Sequence, residues 1–294
     1  MKKMISAVMA GAMAVSMTAC GGAASSAPIA SSASAASIAS SASAASSAVS
    51  SAAASSEAAG SDMEYVKNKG KLVVGITDFE PMDYKSDSGE WIGFDADLAK
   101  AFAQSLGVEA DFVEIDWDNK LLELNGKSID CVWNGMTLTD EVTSSMECSN
   151  AYCNNAQVVV LPVDMAEKYQ TVESLSDLNF AVESGSAGEA AAKELGLNFT
   201  PVSNQASALM EVAAGTSGAA IIDSLMAGAM VGEGTSYDKL TYTLPLSDEK
   251  YGVGFRKGSD LAAALNDFFA ASKEDGSMQT LAETYGVQAA LVND

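Results

Sequence analysis

The chain has 294 residues, with 39 acidic against 16 basic side chains, a formal charge of −23 and no histidine. That charge opposes binding to nucleic acid or to anionic membranes. The missing histidine removes any His general base, Ser-His triad or His-bearing zinc site.

Lys2 and Lys3 form a short positive region, and Met4 to Met17 is almost wholly apolar or small. This run suits the core of a signal peptide and is short for a membrane-spanning helix, so residues 1–19 read as a signal peptide. It ends at Met17-Thr18-Ala19-Cys20-Gly21, which resembles a bacterial lipobox. The resemblance implies cleavage before Cys20 and lipid on its sulfur; the alternative is an ordinary signal peptide with an incidental cysteine. From Gly21 to Ser61 the chain is nearly all Ser and Ala. With no amphipathic stripe to bury, residues 20–61 read as a lipid-bearing cysteine followed by a flexible spacer. No later apolar run approaches spanning length, so the expectation is a soluble protein held outside the cytoplasmic membrane by a lipid anchor.

The folded part opens with the strand Leu72–Ile76. Asp95 then reads as the cap of a helix bearing Leu98, Phe102 and Leu106, stopped by Gly107. Phe112–Ile115 is a second strand. Asp118 reads as the start of a helix with Leu121, Leu122 and Leu124, ended by Gly126, and Ile129–Trp133 is a third strand. Such β-α-β-α-β order means parallel pairing with right-handed crossovers. The pattern recurs with strands at Phe180–Val182, Phe199–Val202 and Ala219–Ile222. Helices follow from about Ala187 to Leu195, Gln205 to Ala214 and Ser224 to Met230. Tyr251–Phe255 is a further strand, Asp260 caps a helix through Phe269, and Gly276 precedes a last helix. Two strand-like crossings are expected near Tyr152–Ala156 and Leu244–Lys250. With Cys20 assigned to lipid, Cys131, Cys148 and Cys153 remain; Cys148 and Cys153 could pair, or all three stay thiols, and their spacing has no CxxC metal signature. No cofactor or metal is expected.

Five stretches resemble bacterial extracellular solute-binding proteins of family 3, the polar amino-acid receptors of ABC importers. They are Phe79-Glu80-Pro81-Met82-Asp83-Tyr84, Gly93-Phe94-Asp95-Ala96-Asp97-Leu98-Ala99, Trp117-Asp118 with Leu121-Leu122, Ile129-Asp130 through Gly135-Met136-Thr137-Leu138-Thr139, and Tyr251-Gly252-Val253 through Lys257-Gly258. The resemblance covers roughly residues 62 to 290. It implies an α/β, two-lobe periplasmic-binding-protein-like fold (type II), each lobe a mostly parallel sheet flanked by helices, joined by a two-strand hinge. The expected organisation is lobe 1 over 62–153 and 249–294 and lobe 2 over 154–248. A monomer is the family default, and the implied partners are a small polar solute, an amino acid or related amine, and ABC permease subunits.

Ligands in open parallel sheets bind at the carboxyl ends of strands, and the resemblance assigns roles to residues there. Phe79 and Trp117 resemble aromatic walls. Gly135 and Thr137 look like a carboxylate-facing loop, offering an N–H and a hydroxyl. Ser186 and Ala187 sit at a helix start that favours an anion. Asp223 resembles the carboxylate that holds an α-ammonium, with Asp78 or Glu183 as further acids. The plainer readings are core packing for the aromatics and helix capping for Ser186 and Asp223. Val142 stands where the family usually places a carboxylate-binding Arg, and Arg256, the only arginine, is expected at the surface. The expected function is capture of an amine-bearing solute by cleft closure. The rivals are an enzyme on the same fold, with Asp78 and Glu183 as acid and base, and a ligand sensor without transport.

Overall fold

The computed structural model describes residues 61–292. The expected signal peptide, the lipidated Cys20 and the spacer up to residue 60 lie outside the described residues. Ser61 already belongs to the fold: its hydroxyl accepts the Glu64 N–H at 3.1 Å and caps the first helix.

From there run α1 (Asp62–Lys69), β1 (Lys71–Ile76), a small hairpin of β2 (Tyr84–Lys85) and β3 (Trp91–Ile92), α2 (Phe94–Ser105) and β4 (Glu109–Glu114). A 3-10 turn (Trp117–Asn119) leads into α3 (Lys120–Asn125), then β5 (Cys131–Thr137), α4 (Asp140–Ser145), β6 (Glu147–Cys148) and β7 (Cys153–Asn155). The second half holds β8 (Gln157–Pro162), β9 (Asn179–Glu183), α5 (Ala187–Glu194), β10 (Asn198–Val202), α6 (Gln205–Ala214), β11 (Ala219–Asp223), α7 (Ser224–Met230) and β12 (Leu240–Pro245). The chain closes with β13 (Glu249–Phe255), α8 (Leu261–Glu274) and α9 (Ser277–Thr284).

Two sheets organise these elements. The first has the order β4-β1-β5-β13-β6, with β7 also on β13, and the second β10-β9-β11-β8-β12. Three strands of each are parallel, β4-β1-β5 and β10-β9-β11. They are the ones joined through helices, as parallel neighbours must be. The remaining pairings are antiparallel, because β8, β12 and β13 lie next to the places where the chain changes sheet. It does so twice, between Asn155 and Gln157 and between Pro245 and Glu249. Both sheets are therefore mixed α/β sheets, more antiparallel than the alternating helix pattern alone implied.

Each sheet is covered on both faces, which is why its central strands read as continuous apolar runs. On one side of the first sheet Leu72, Val74 and Ile76 pack with Leu98 and Phe102 of α2 and with Leu265 and Phe269 of α8. On the other, Val73 and Val132 pack with Leu124, Ile129 and Met146. The C-terminal helices thus return to the first sheet. Burying side chains such as Phe102, fully enclosed here, stabilises by about 1.5–3 kcal/mol each.

Two helix starts differ from their sequence expectation. α2 begins at Phe94, and Asp95 lies inside its first turn, fully buried. The Pro81-Met82-Asp83 loop folds over this end, so that the Pro81 carbonyl takes the Phe94 N–H at 3.0 Å and the Met82 carbonyl the Asp95 N–H at 2.9 Å. Backbone carbonyls satisfy the end donors, and the Asp95 carboxylate is free to turn inward. Gly93 makes this possible: at φ 128°, a Cβ there would sit 2.2 Å from the Met82 carbonyl oxygen. Near Trp117 the cap is Asp116 and not Asp118; its carboxylate accepts the Asp118 N–H at 3.3 Å.

Arg256 also departs from expectation. It is buried at the end of β13, where its guanidinium meets Asp62, Asp130 and the carbonyls of Leu124 and Ile129. Cys131, Cys148 and Cys153 are free thiols.

Candidate functional site

A cavity of about 250 Å³ lies between the carboxyl ends of the two sheets. Trp117, Lys120, Gly135, Thr137 and Val142 of the first half line it, facing Glu183, Ser186, Ala187, Gln205 and Asp223 of the second. Trp117 enters from the 3-10 turn after β4, Gly135 and Thr137 from the end of β5, Glu183 and Asp223 from the last positions of β9 and β11. The strands bring their polar tips together because the apolar residues before them are held in the cores.

The structure does not bring every expected residue here. Asp78 is exposed and does not line the cavity. Phe79 is buried and packs edge-on against Tyr251, ring centroids 6.3 Å apart. It lies behind Gly135, where a Cβ would meet the Phe79 ring at 2.5 Å. Phe79 thus supports the cavity floor from below, the plainer reading of that residue. With Asp78 outside, it and Glu183 do not share the cavity as an acid–base pair.

Gly135 and Thr137 do line the cavity, but their donors are spoken for. The Gly135 N–H donates to Asp95 Oδ2 at 2.6 Å, which also accepts the Tyr152 hydroxyl at 2.6 Å. The Thr137 hydroxyl donates to Glu249 Oε2 at 2.9 Å. Ser186 caps α5, its hydroxyl accepting the Glu189 N–H at 3.1 Å. Asp223 is positioned as a helix cap but makes no capping bond. Its carboxylate instead accepts the side-chain amides of Asn155, Gln157 (2.9 Å) and Gln205.

Glu249, Gln157, Asn155 and Gln205 were not singled out from the sequence. Glu249 Oε2 accepts the amides of Asn155 (3.2 Å) and Gln157 (3.0 Å) as well as the Thr137 hydroxyl. Asn155, Gln157 and Glu249 sit at the two chain crossings, where polar side chains carry no periodic signal, and Gln205 opens α6. The network therefore joins Asp223 directly to the segments that link the sheets.

Burial dominates the electrostatics. It pushes the Glu183 carboxyl up to about 8, helped by the nearby Asp223 charge and opposed by Lys120. Burial and then the Glu249 carboxylate raise Asp223 to about 7, against the pull of its amide donors. Lys120 is lowered by burial, opposed by Glu183. Its ammonium lies 5.0 Å from the Trp117 ring centre and donates to the carbonyls of Trp117 (3.1 Å) and Gly185 (2.9 Å), tying the two halves together. Glu183 Oε1 is buried and meets no hydrogen-bond partner among the described residues.

A stability prediction follows from these acids. Folded Glu183 and Asp223 keep protons that an unfolded chain releases near pH 4, so over the window from about 4 to 8 the unfolded state binds fewer protons and stability falls as pH rises. Buried Asp95, raised to about 7, acts in the same direction. The ligand-free protein is expected to melt several degrees lower at pH 8.5 than at pH 5 in calorimetric scans, and a melting temperature that rises over this interval contradicts the burial of these groups.

Residues 72–288 match the model of the bacterial extracellular solute-binding proteins, family 3. The chain belongs to this family. Among solute-binding relatives, the arginine-binding extracellular protein ArtP of Bacillus subtilis is 30% identical, over 72% of this chain and 85% of its own. The L-cystine-binding protein TcyJ of Escherichia coli is 28% identical over 75% and 84%. An ABC uptake transporter substrate binding protein from Streptococcus pneumoniae, solved with bound histidine, superposes with a TM-score of 0.71 at 26% identity, covering 79% of this chain and 98% of its own. The family's two-lobe, type II fold is the one described above. No described helix is long and apolar enough to cross a membrane.

Proposed function

We propose that the chain is the extracytoplasmic receptor of an ABC importer, capturing a small amine-bearing, amino-acid-like solute by closing its cleft. The observation that carries this reading is the pair of buried carboxyl groups, Glu183 and Asp223, facing Trp117 across one cavity. An ammonium beside them favours their charged forms and offsets the cost of burying that charge, and the flat Trp117 ring supplies contact area to the ligand's carbon chain. Thr137, Ser186 and Ala187 also line the cavity, as does Gly135 with the Phe79 ring behind it. The relatives' names support the class: cystine, arginine and histidine are all amino acids with an ammonium group.

In this reading lobe 1 comprises 62–153 and 249–294 and lobe 2 comprises 154–248. They rotate about the crossings at Ala156 and 246–248, and ligand groups that bridge the gap favour the closed form. The closed form docks on permease subunits, as a monomer, with Cys20 carrying the lipid that holds it to the membrane. We read the chain as a receptor and not an enzyme, since its relatives are named as binding proteins.

Calorimetry against a panel of amino acids and small amines tests the proposal. At least one amine-bearing member is expected to bind with micromolar or tighter affinity, and Asp223→Asn to weaken it at least about tenfold, the loss of a charge-assisted contact. Tight binding of a dicarboxylate that survives Asp223→Ala overturns it.

A further inference from the structure

Glu183, Asp223 and Glu249 bring three carboxyl groups together at the cleft, where Lys120 is the one lining cation. Resting on the amine-receptor reading, we propose that capture is a proton exchange: the ligand's ammonium takes the place of a proton on Glu183 or Asp223, that proton leaves to solvent, and Glu249 sets the pH at which this happens.

Asp223 and Glu249 are clasped by the same donors. The Asn155 amide nitrogen donates to Asp223 Oδ1 and, at 3.2 Å, to Glu249 Oε2. The Gln157 amide nitrogen donates to the same two oxygens at 2.9 and 3.0 Å. Gln205 donates to Asp223 Oδ2, and the buried Tyr251 hydroxyl faces this carboxyl group. Glu183 stands at the end of β9, the strand beside β11, with Thr77 and Gln205 near it. It is only 3% exposed, and its Oε1 has no partner among the described residues. Lys120 uses two of its three N–H groups on carbonyls, and Asp118, Glu141 and Glu189 surround it as well as Glu183. Asp140 adds a further acid to the cavity lining.

One ammonium placed in this way does not balance the acids around it. Neighbouring buried carboxyl groups do not all ionise, because each charge is poorly solvated and repels the next. Burial accordingly pushes Glu183 up to about 8 and, with the Glu249 carboxylate beside it, Asp223 up to about 7. A bound ammonium changes the balance. The carboxyl O–H bond breaks, the proton passes to solvent, and the new carboxylate accepts an ammonium N–H. One positive charge replaces another, so the net charge of the site is unchanged. A ligand seated on neutral carboxyl groups would bury its cation unpaired, which is costly. Acid therefore opposes capture: where one proton must leave, affinity falls about tenfold for each unit of pH below the pKa of the exchanging group. Removing the Glu249 charge lets Asp223 ionise at lower pH and moves the whole profile that way.

Arginine, lysine, ornithine and 1,4-diaminobutane, whose amines stay charged from about pH 5.5 to 8, are titrated into the protein in a calorimeter. At about pH 6 the titrations are repeated in phosphate and in bis-tris, buffers that differ in ionisation enthalpy, so that the difference in heat counts the protons released. About one proton per bound molecule is expected, with affinity rising about tenfold between pH 5.5 and 6.5 and levelling off near pH 8. In Glu249→Gln, checked by its melting curve, the levelling-off is expected at least about half a pH unit lower. Loss of a merely structural contact would weaken binding equally at every pH. Binding without proton release, at an affinity that does not change with pH, overturns the inference and leaves the receptor reading standing. The wild-type titrations decide this whether or not the variant folds. A folded Glu249→Gln with an unmoved profile removes the role given to Glu249. If none of the four molecules binds, the inference and the amine-receptor reading fail together.

Discussion

Arg256→Leu is expected to destabilise the protein by about 3–5 kcal/mol, the cost typical of breaking a buried ion pair from one side. The guanidinium is 10% exposed and uses most of its donors. Its Nε reaches Asp62 at 3.0 Å, Nη1 the Ile129 carbonyl at 2.7 Å, and Nη2 the fully buried Asp130 at 3.2 Å. Asp130 Oδ2 in turn accepts the Val73 N–H at 2.8 Å and pairs with Lys69. One side chain therefore ties α1, the turn before β5 and the end of β13 to each other. Leucine fills part of the space but leaves Asp130 Oδ1 and the Ile129 and Leu124 carbonyls without their donor, with Lys69 the one cation left on Asp130. Against a total stability of about 5–15 kcal/mol, such a loss removes a large share. Urea unfolding measures it, and the double variant with Asp130→Asn is expected to lose less than the sum of the two single losses, because the two side chains touch and share one network. Arg256 is not among the cavity residues, so the folded fraction should bind as before. A loss below about 1 kcal/mol contradicts the buried cluster.

Gly185→Ala is expected to weaken ligand capture by about ten- to a hundredfold while costing the free protein only about 1–3 kcal/mol of backbone strain. Gly185 follows β9 with φ 71°, and a Cβ there would lie 2.8 Å from the Asp118 Cα and 2.7 Å from its carboxylate. Asp118 belongs to the opposite sheet's half, and its backbone cannot swing aside as a long side-chain tip can. The methyl group therefore wedges the cleft, and the halves must separate before it fits. The Lys120 ammonium would lose its 2.9 Å bond to the Gly185 carbonyl in the same movement. Because ligand affinity scales with the population of the closed form, the loss shows in the dissociation constant rather than in folding. Calorimetry gives the affinity, and small-angle scattering should show a variant that stays expanded when ligand is added. Undiminished affinity with normal contraction rules out the wedge.

The parts of the fold that were legible in the sequence are those where local chemistry and tertiary position agree. Leu72–Ile76 and Ala219–Ile222 are apolar runs because both faces of their sheets are covered, so run length and a following polar residue sufficed to place them and their carboxyl ends. Where one segment's hydrogen bonds are supplied by a distant one, the local signal misled. Asp95 looks like a cap, but the Met82 carbonyl satisfies the helix end and Asp95 turns inward to Gly135 and Tyr152. Arg256 looks like a surface cation, and only the fold brings Asp62 and Asp130 to it. The antiparallel strands beside the crossings are short or mixed in polarity, so β6 and β7 gave no clear period.

The cavity lining of the candidate site was legible for a similar reason. Trp117, Thr137, Glu183 and Asp223 stand at strand ends, and strand ends of both halves meet. Phe79 stands at a strand end too, yet the loop after β1 folds back, with the Phe79 N–H donating to the Asp83 carbonyl at 2.7 Å, and carries the ring beneath Gly135. The amide cradle of Asn155, Gln157 and Gln205 around Asp223 could not be read, since nothing in three scattered polar residues tells that they face one carboxylate.

The most direct measurement is a crystal structure grown with the tightest-binding amine from the calorimetric panel. It is expected to show one molecule between the sheets, its carbon chain within about 4 Å of the Trp117 ring and its cationic nitrogen about 3 Å from Glu183 or Asp223. A molecule seated outside this cavity, or bound within it with its cation turned away from both carboxylates, would contradict the account.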